Sequence, residues 1–347
     1  MLGIAGGTTL LLLAATVLLP EQASAQNEPV WPVTHRLLGA DGEKSEDVSG
    51  IACSSTTGFP RSCLIIDDET QAAQLVIVKN GEILAGDPIS LHGERFDGQP
   101  VELDGEAVAY DGGFFYVLGS HGHPRDRKGK LDPIRDAAKI AAGIKGSSKV
   151  FRIRIDPDHI SPEGKLQGIF EVTSSVELRK ILLAQPELKS FVDKRLDESG
   201  LTAEGLAILN GRFYVGLRSP VLNGRQAALV SADMGSLFEG RDANSKLHVL
   251  DLGAGRGVRD LVAFDGGFLV LAGPAGDQEG LYSIFFWDGA EGKKLLKDLP
   301  IWTGKKGRQV KAEAILPLDR NDEGLRVLLM FDGPKEGAPR PIRMGYP

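Results

Sequence analysis

The chain has 347 residues, 42% of them apolar, with 44 glycines against only 14 phenylalanines and 5 tyrosines. That is enough for a large core, and it suits many tight turns better than long helices. A formal net charge of −7 argues against nucleic acid or an anionic membrane as partner.

Residues 1–25 read as a secretory signal. An apolar run, Leu10 to Leu19, is followed by Pro20 and the small triplet Ala23, Ser24, Ala25 before Gln26. The run is too short to span a bilayer comfortably, although the usual basic start is missing from MLGIAGG. No second apolar stretch could hold the mature chain in a membrane. Residues 26–347 therefore read as one periplasmic or secreted domain, with a monomer as the expected state. VWPVTHRLL, residues 30–38, alternates apolar with polar and reads as a strand.

From Asp47 onward one phrase recurs five times: DVSGIACS, EAVAYDGGFFYVLGS from Glu106, EGLAILNGRFYVGLRS from Glu204, DLVAFDGGFLVLAG from Asp260 and EAILPLDRNDEGLRVLLM from Glu313. An acid, an apolar run, a turn and a second apolar run make a hairpin with the acid at its entry. Repetition at a fixed offset predicts an all-β fold, a β-propeller of five four-stranded blades. The opening acids are 59, 98, 56 and 53 residues apart. The long gap holds two helical insertions, near residues 124–148 and 174–199, the second divided at Pro186; a sixth, degenerate blade stays open there. The last repeat supplies three strands, so the 30–38 strand is expected to complete the last blade and close the ring. Cys53 and Cys63 bracket the turn of the first hairpin and are placed to form a disulfide, which an oxidising compartment would permit.

Antiparallel pairing brings the opening acids, Asp47, Glu106, Glu204, Asp260 and Glu313, to the same face as the ends of the second strands. Those ends are Asp67 to Glu69, Ser120 to His123, Arg218 and Ser219, with Asp277 and Asp332 in the last two repeats. Two unit charges about 6 Å apart repel by roughly 2 to 3 kcal/mol at an effective dielectric of 20. Such a ring must protonate, pair with protein cations or hold a metal, and hard oxygen ligands point to Ca²⁺. Two or three acids would ligate directly, the rest pairing with Arg218, Arg259 or Lys311. His121, His123 and Arg218 are the candidates for orienting an anion or for acid and base chemistry. Eight basic residues between Arg125 and Lys149 form either a solvated face or a rim that draws anions.

Two further motifs mislead. VLDLGAGRG, from Val249, matches a methyltransferase glycine loop, but strand, turn and strand follow where a helix is required. DRNDEG, from Asp319, lacks the twelfth-position acid and flanking helices of an EF-hand.

EGLAILNGRFYVGLRSP and DGEAVAYDGGFFYVLGSHG, with the signal segment, resemble a bacterial family of exported propellers known as domain of unknown function 3616. They resemble more distantly the phytase-like and esterase-like propellers and the calcium-dependent apyrases. None of these resemblances carries catalytic residues onto this chain beyond the opening acids. Two readings follow. One is a metal-assisted hydrolase of an anionic, phosphorylated or ester substrate. The other is a non-catalytic propeller that binds a ligand or protein, any ion being structural.

Overall fold

A computed structural model describes residues 29–125, 131–304 and 307–346. The expected signal segment lies outside the described residues, as do positions 126–130 of the first insertion and positions 305–306.

Five antiparallel sheets follow one another along the chain, each opening on one repeat. Their inner strands are Val48–Cys53, Gly105–Asp111, Thr202–Leu209, Arg256–Phe264 and Lys311–Asn321. Each pairs only with the strand after it, so its other edge is left facing the axis. Tight turns allow this return. In blade 3, Asn210 (φ 52°) and Gly211 (φ 73°) supply the two left-handed positions that a two-residue hairpin needs to match strand twist.

The core is five clusters, one between each pair of adjacent blades, and strand alternation explains why the repeats are apolar on both faces. In blade 2, Ala107 faces blade 3 and Val108 faces blade 1; in blade 5, Ile315 faces blade 4 while Ala314 and Leu316 face blade 1. Small residues let the inner strands approach. A Cβ on Gly50 would stand 2.8 Å from the Cα of Ala107.

The long gap contains the two insertions and no sixth blade among the described residues. The helix Ala137–Ser147 lies between the second and third strands of blade 2. The helix Glu177–Leu183 precedes blade 3 and buries Leu178, Ile181 and Leu182 against it. Beyond Pro186 the expected second helical segment is two 3₁₀ turns, Lys189–Phe191 and Leu196–Glu198.

Closure differs from expectation. Val33–Thr34 does not complete the last blade; it pairs in parallel with Ile83 and Leu84 on the outer strand of blade 1, which becomes five-stranded, while blade 5 keeps three strands. The alternating pattern at 30–38 was compatible with either edge. The segment nevertheless ties the ends of the ring together. The Trp31 amide donates to the Pro339 carbonyl at 2.8 Å, and the buried indole joins the cluster between blades 5 and 1. Asp47 bridges to Asp332, and Lys44 pairs with Glu336 at 2.6 Å. The Cys53–Cys63 disulfide joins directly opposed residues of the first hairpin.

Candidate cation and ligand site

Every inner strand carries one unpaired residue near its start. Pairing passes from Gly105 to Ala107, from Ala203 to Gly205, from Val258 to Asp260, from Ala312 to Ala314 and from Val48 to Gly50. The skipped residues are Glu106, Glu204, Arg259, Glu313 and Ser49. A bulge of this kind re-aims a side chain at the rim of a sheet, and repeated five times it makes a ring. The equivalent positions are therefore three glutamates, one arginine and one serine. Asp260 lies one residue beyond its bulge and Asp47 two before, so neither occupies the position that their place in the repeat suggested.

One step further out, the second strands give another ring in the same register: Asp68, Ser120, Arg218, Gly273 and Asp332. Gly273 is needed there, since a Cβ would lie 2.4 Å from the Tyr282 ring and 2.9 Å from the stem of Arg259.

Across blades 3 to 5 the charges are matched. Glu204 receives Arg218 Nη1 at 2.9 Å and faces Arg259 Nε at 3.1 Å, while Arg259 also grips Glu313 with two nitrogens. Arg218 is fully buried and donates in addition to the Ala275 and Gly276 carbonyls and to Asp277. Burial disfavours the charge of Arg259, but Glu204 and Glu313 hold its guanidinium protonated, above the ordinary value. Asp260 accepts the amides of Leu261 at 2.7 Å and Ile315 at 2.8 Å. It thereby satisfies an axis-facing donor of blade 5 from blade 4. Lys311 pairs with Asp332 at 3.0 Å.

The blade 1 and 2 side is rich in acid. Asp47, Asp68 and Glu69 each offer a carboxylate oxygen within 4.8 Å of the others. Glu106 is 3% exposed, and burial first, then the charge of Glu204, pushes its carboxyl well above the ordinary range; burial and Asp104 do the same to Asp68. The cation nearest to both is Arg125, whose Nη2 stands 3.7 Å from Glu106 and whose Nη1 stands 3.9 Å from Asp68. Those are ion-pair distances without a tight hydrogen bond. Asp68, Glu69, Asp104, Arg125 and Lys139 open on a cleft of about 430 Å³ beside the helix Ala137–Ser147.

The histidines stand apart from that cleft's lining. His121 is 2% exposed, has no hydrogen-bond partner on either ring nitrogen, and burial holds its pKa at about 3. It is a buried neutral imidazole outside the cleft. His123 is half-buried, with Nδ1 3.0 Å from the Pro124 carbonyl.

The structure thus brings Glu106, Glu204 and Glu313 together, sets Asp47 beside Asp68 and Glu69, and engages Arg218 in the charge network. Arg259 was not read as a ring member, although the phase of the apolar pattern could have shown it. Val258–Arg259–Asp260–Leu261 superposes on Ala203–Glu204–Gly205–Leu206 once the apolar positions are aligned.

Residues 54–340 match the model of a family described as "Protein of unknown function (DUF3616)". The chain belongs to this family. No curated protein matches it. Among solved structures, the exo-β-1,3-galactanase of Phanerochaete chrysosporium is similar at 10% identity and TM-score 0.46, covering 90% of this chain and 65% of that one. The α-L-arabinofuranosidase of Podospora anserina has 11% identity and TM-score 0.45 over 92% and 98% of the two chains. The WD40 propeller domain of Doa1 has 10% identity and TM-score 0.36 over 86% and 93%. The activities named there belong to those proteins.

Proposed function

We propose that this DUF3616 propeller binds a divalent cation through Asp47, Asp68 and Glu69, and uses that end of the molecule to hold a small anionic ligand. The observation that carries the reading is the convergence of three carboxylates beside an open cleft whose nearest cations, Arg125 and Lys139, can face an anion. All-oxygen donors on loops suit Ca²⁺, which accepts flexible geometry and water as further ligands. Glu204 and Glu313 already have buried arginines, so their charge does not call for an ion. An exported location, for which the disulfide speaks, fits this reading; no helix among the described residues is long and apolar enough to cross a membrane.

Metal analysis of purified protein tests it, with melting temperature recorded in excess chelator and after adding back Ca²⁺. About one equivalent and a reversible rise in melting temperature are expected, with the rise lost in Asp68→Asn. A metal-free protein indifferent to both treatments would overturn the reading.

Glu106 supports a second reading, metal-assisted hydrolysis of an ester or phosphoester. A buried carboxyl pushed well above the ordinary range, close to Arg125, is the kind of group that serves as general acid. Any phosphoesterase or esterase turnover found with Ca²⁺ should then fall by about 10² or more in Glu106→Gln, with the melting temperature retained. Turnover that survives the substitution would remove Glu106 from the chemistry.

A further inference from the structure

At the opposite end of the axis the five inner strands finish around a cavity of about 640 Å³. It is distinct from the acidic end. In blade 3, Ile208 at this mouth lies four positions beyond Glu204, roughly 13 Å of extended chain. The size falls within the range of small-molecule sites.

The chemistry of its wall is the reverse of that at the acidic end. Ala52, Tyr110, Ala263 and Pro317 line it half-exposed, one from each of four blades, with Ile208 from the fifth. The charged residues that reach it, the exposed rim residue Asp111 apart, are occupied with protein. Arg61 donates to the carbonyls of Pro317 at 2.9 Å and Leu318 at 3.0 Å; Asp319 is held by Arg326; Arg320 faces Asp265 at 3.7 Å and bonds Tyr346. An occupant is therefore not selected by net charge.

Hydrogen-bonding capacity comes from the hydroxyls of Ser55, Thr56, Thr57 and Tyr110 on the rim and, nearer the axis, from backbone. In the two-residue hairpins of blades 2, 3 and 4 the residues flanking the turn pair with each other: Asp111 with Phe114, Leu209 with Arg212, Phe264 with Gly267. Strict alternation then turns the N–H and C=O of Tyr110, Ile208 and Ala263 away from their partner strands, toward the axis. Leu261 has the same phase, and its amide indeed bonds Asp260 rather than the neighbouring strand.

We infer that this mouth is a second binding site, for a neutral, largely apolar small molecule carrying at least one hydrogen-bonding group. The apolar wall takes its body and the free strand edges take its polar group. The disulfide-closed first hairpin, whose Cys53 and Ser55 to Gly58 form part of the lining, gives the rim a fixed side.

The probe is N-phenyl-1-naphthylamine, a neutral aromatic amine that fluoresces when transferred from water. Titration of the protein should give saturable binding near one equivalent. Ala52→Trp and Ala263→Trp, which fill the mouth from different blades, should each weaken it by about tenfold or more. Val249→Trp, the same change on the exposed outer strand of blade 3, should leave it unaltered. Crystals of the unsubstituted protein soaked in the dye give a reading independent of how the variants fold, with density expected at this mouth. Binding that never saturates, equal binding in both filled variants, or density only elsewhere would overturn the assignment.

Discussion

At the scale of single residues, buried carboxyls set how this protein responds to pH. Glu313 is pushed up to about 7 from an ordinary 4.5, by burial first, against the pull of Arg259. Asp67 is likewise raised to about 7, also by burial. A group with a raised folded-state pKa binds more protons folded than unfolded between the two values, so stability declines as pH rises through that window. His121 acts oppositely. Held neutral down to about pH 3, it makes stability rise with pH until about its unfolded value. The two tendencies can be separated by difference. In chelator, Glu313→Gln should show a shallower loss of stability than the parent between about pH 4.5 and 7, the gap approaching at most about 1.4 kcal/mol per pH unit for one proton. Parallel profiles from urea melts across that range would mean that Glu313 is ionised throughout.

At the scale of elements, the bulge is the feature that organises the acidic end and the one least visible in sequence. Strands, turns and their repeat were legible because apolar alternation and Gly-bearing turns are local signals; in blade 3, Thr202–Leu209 and Arg212–Leu222 contain the expected runs and extend both. The ring was only half legible. Aligning repeats by their acids put Asp47 and Asp260 in it, whereas the hydrogen-bond register puts Ser49 and Arg259 there. Composition at one position cannot reveal register, which depends on what lies across the ladder. The edge joined by Val33–Thr34 was not legible for the same reason: a short alternating strand fits either of two exposed edges. The disulfide of the first hairpin was legible, since two cysteines that bracket one turn can face each other across the pair. It closes a ten-residue separation, and the paired Cys53→Ser, Cys63→Ser variant should lose about 3 kcal/mol. An unchanged denaturation midpoint under oxidising conditions would show that the hairpin needs no staple.

At the scale of the whole molecule, the last and first blades are joined by packing and by scattered bonds, without a strand shared within blade 5. Trp31 is the largest side chain in that seam among the N-terminal residues. Truncating it to alanine should cost about 3–5 kcal/mol, measured as a fall in melting temperature with one transition preserved. A negligible shift would assign closure to the Lys44, Glu46 and Asp47 contacts with blade 5.

Arg259 leaves blade 4 to neutralise carboxylates carried by the blades on either side of its own. An incomplete ring, with blade 5 not yet docked or already detached, would leave Arg259 without Glu313 and facing only Glu204, which Arg218 already pairs. Removing one partner of a buried pair costs several kcal/mol, which is comparable to the whole stability of many domains. Partially assembled forms are thus penalised beyond their missing apolar contacts. The charge network acts as a proofreading device for circularity, favouring five blades together over any four.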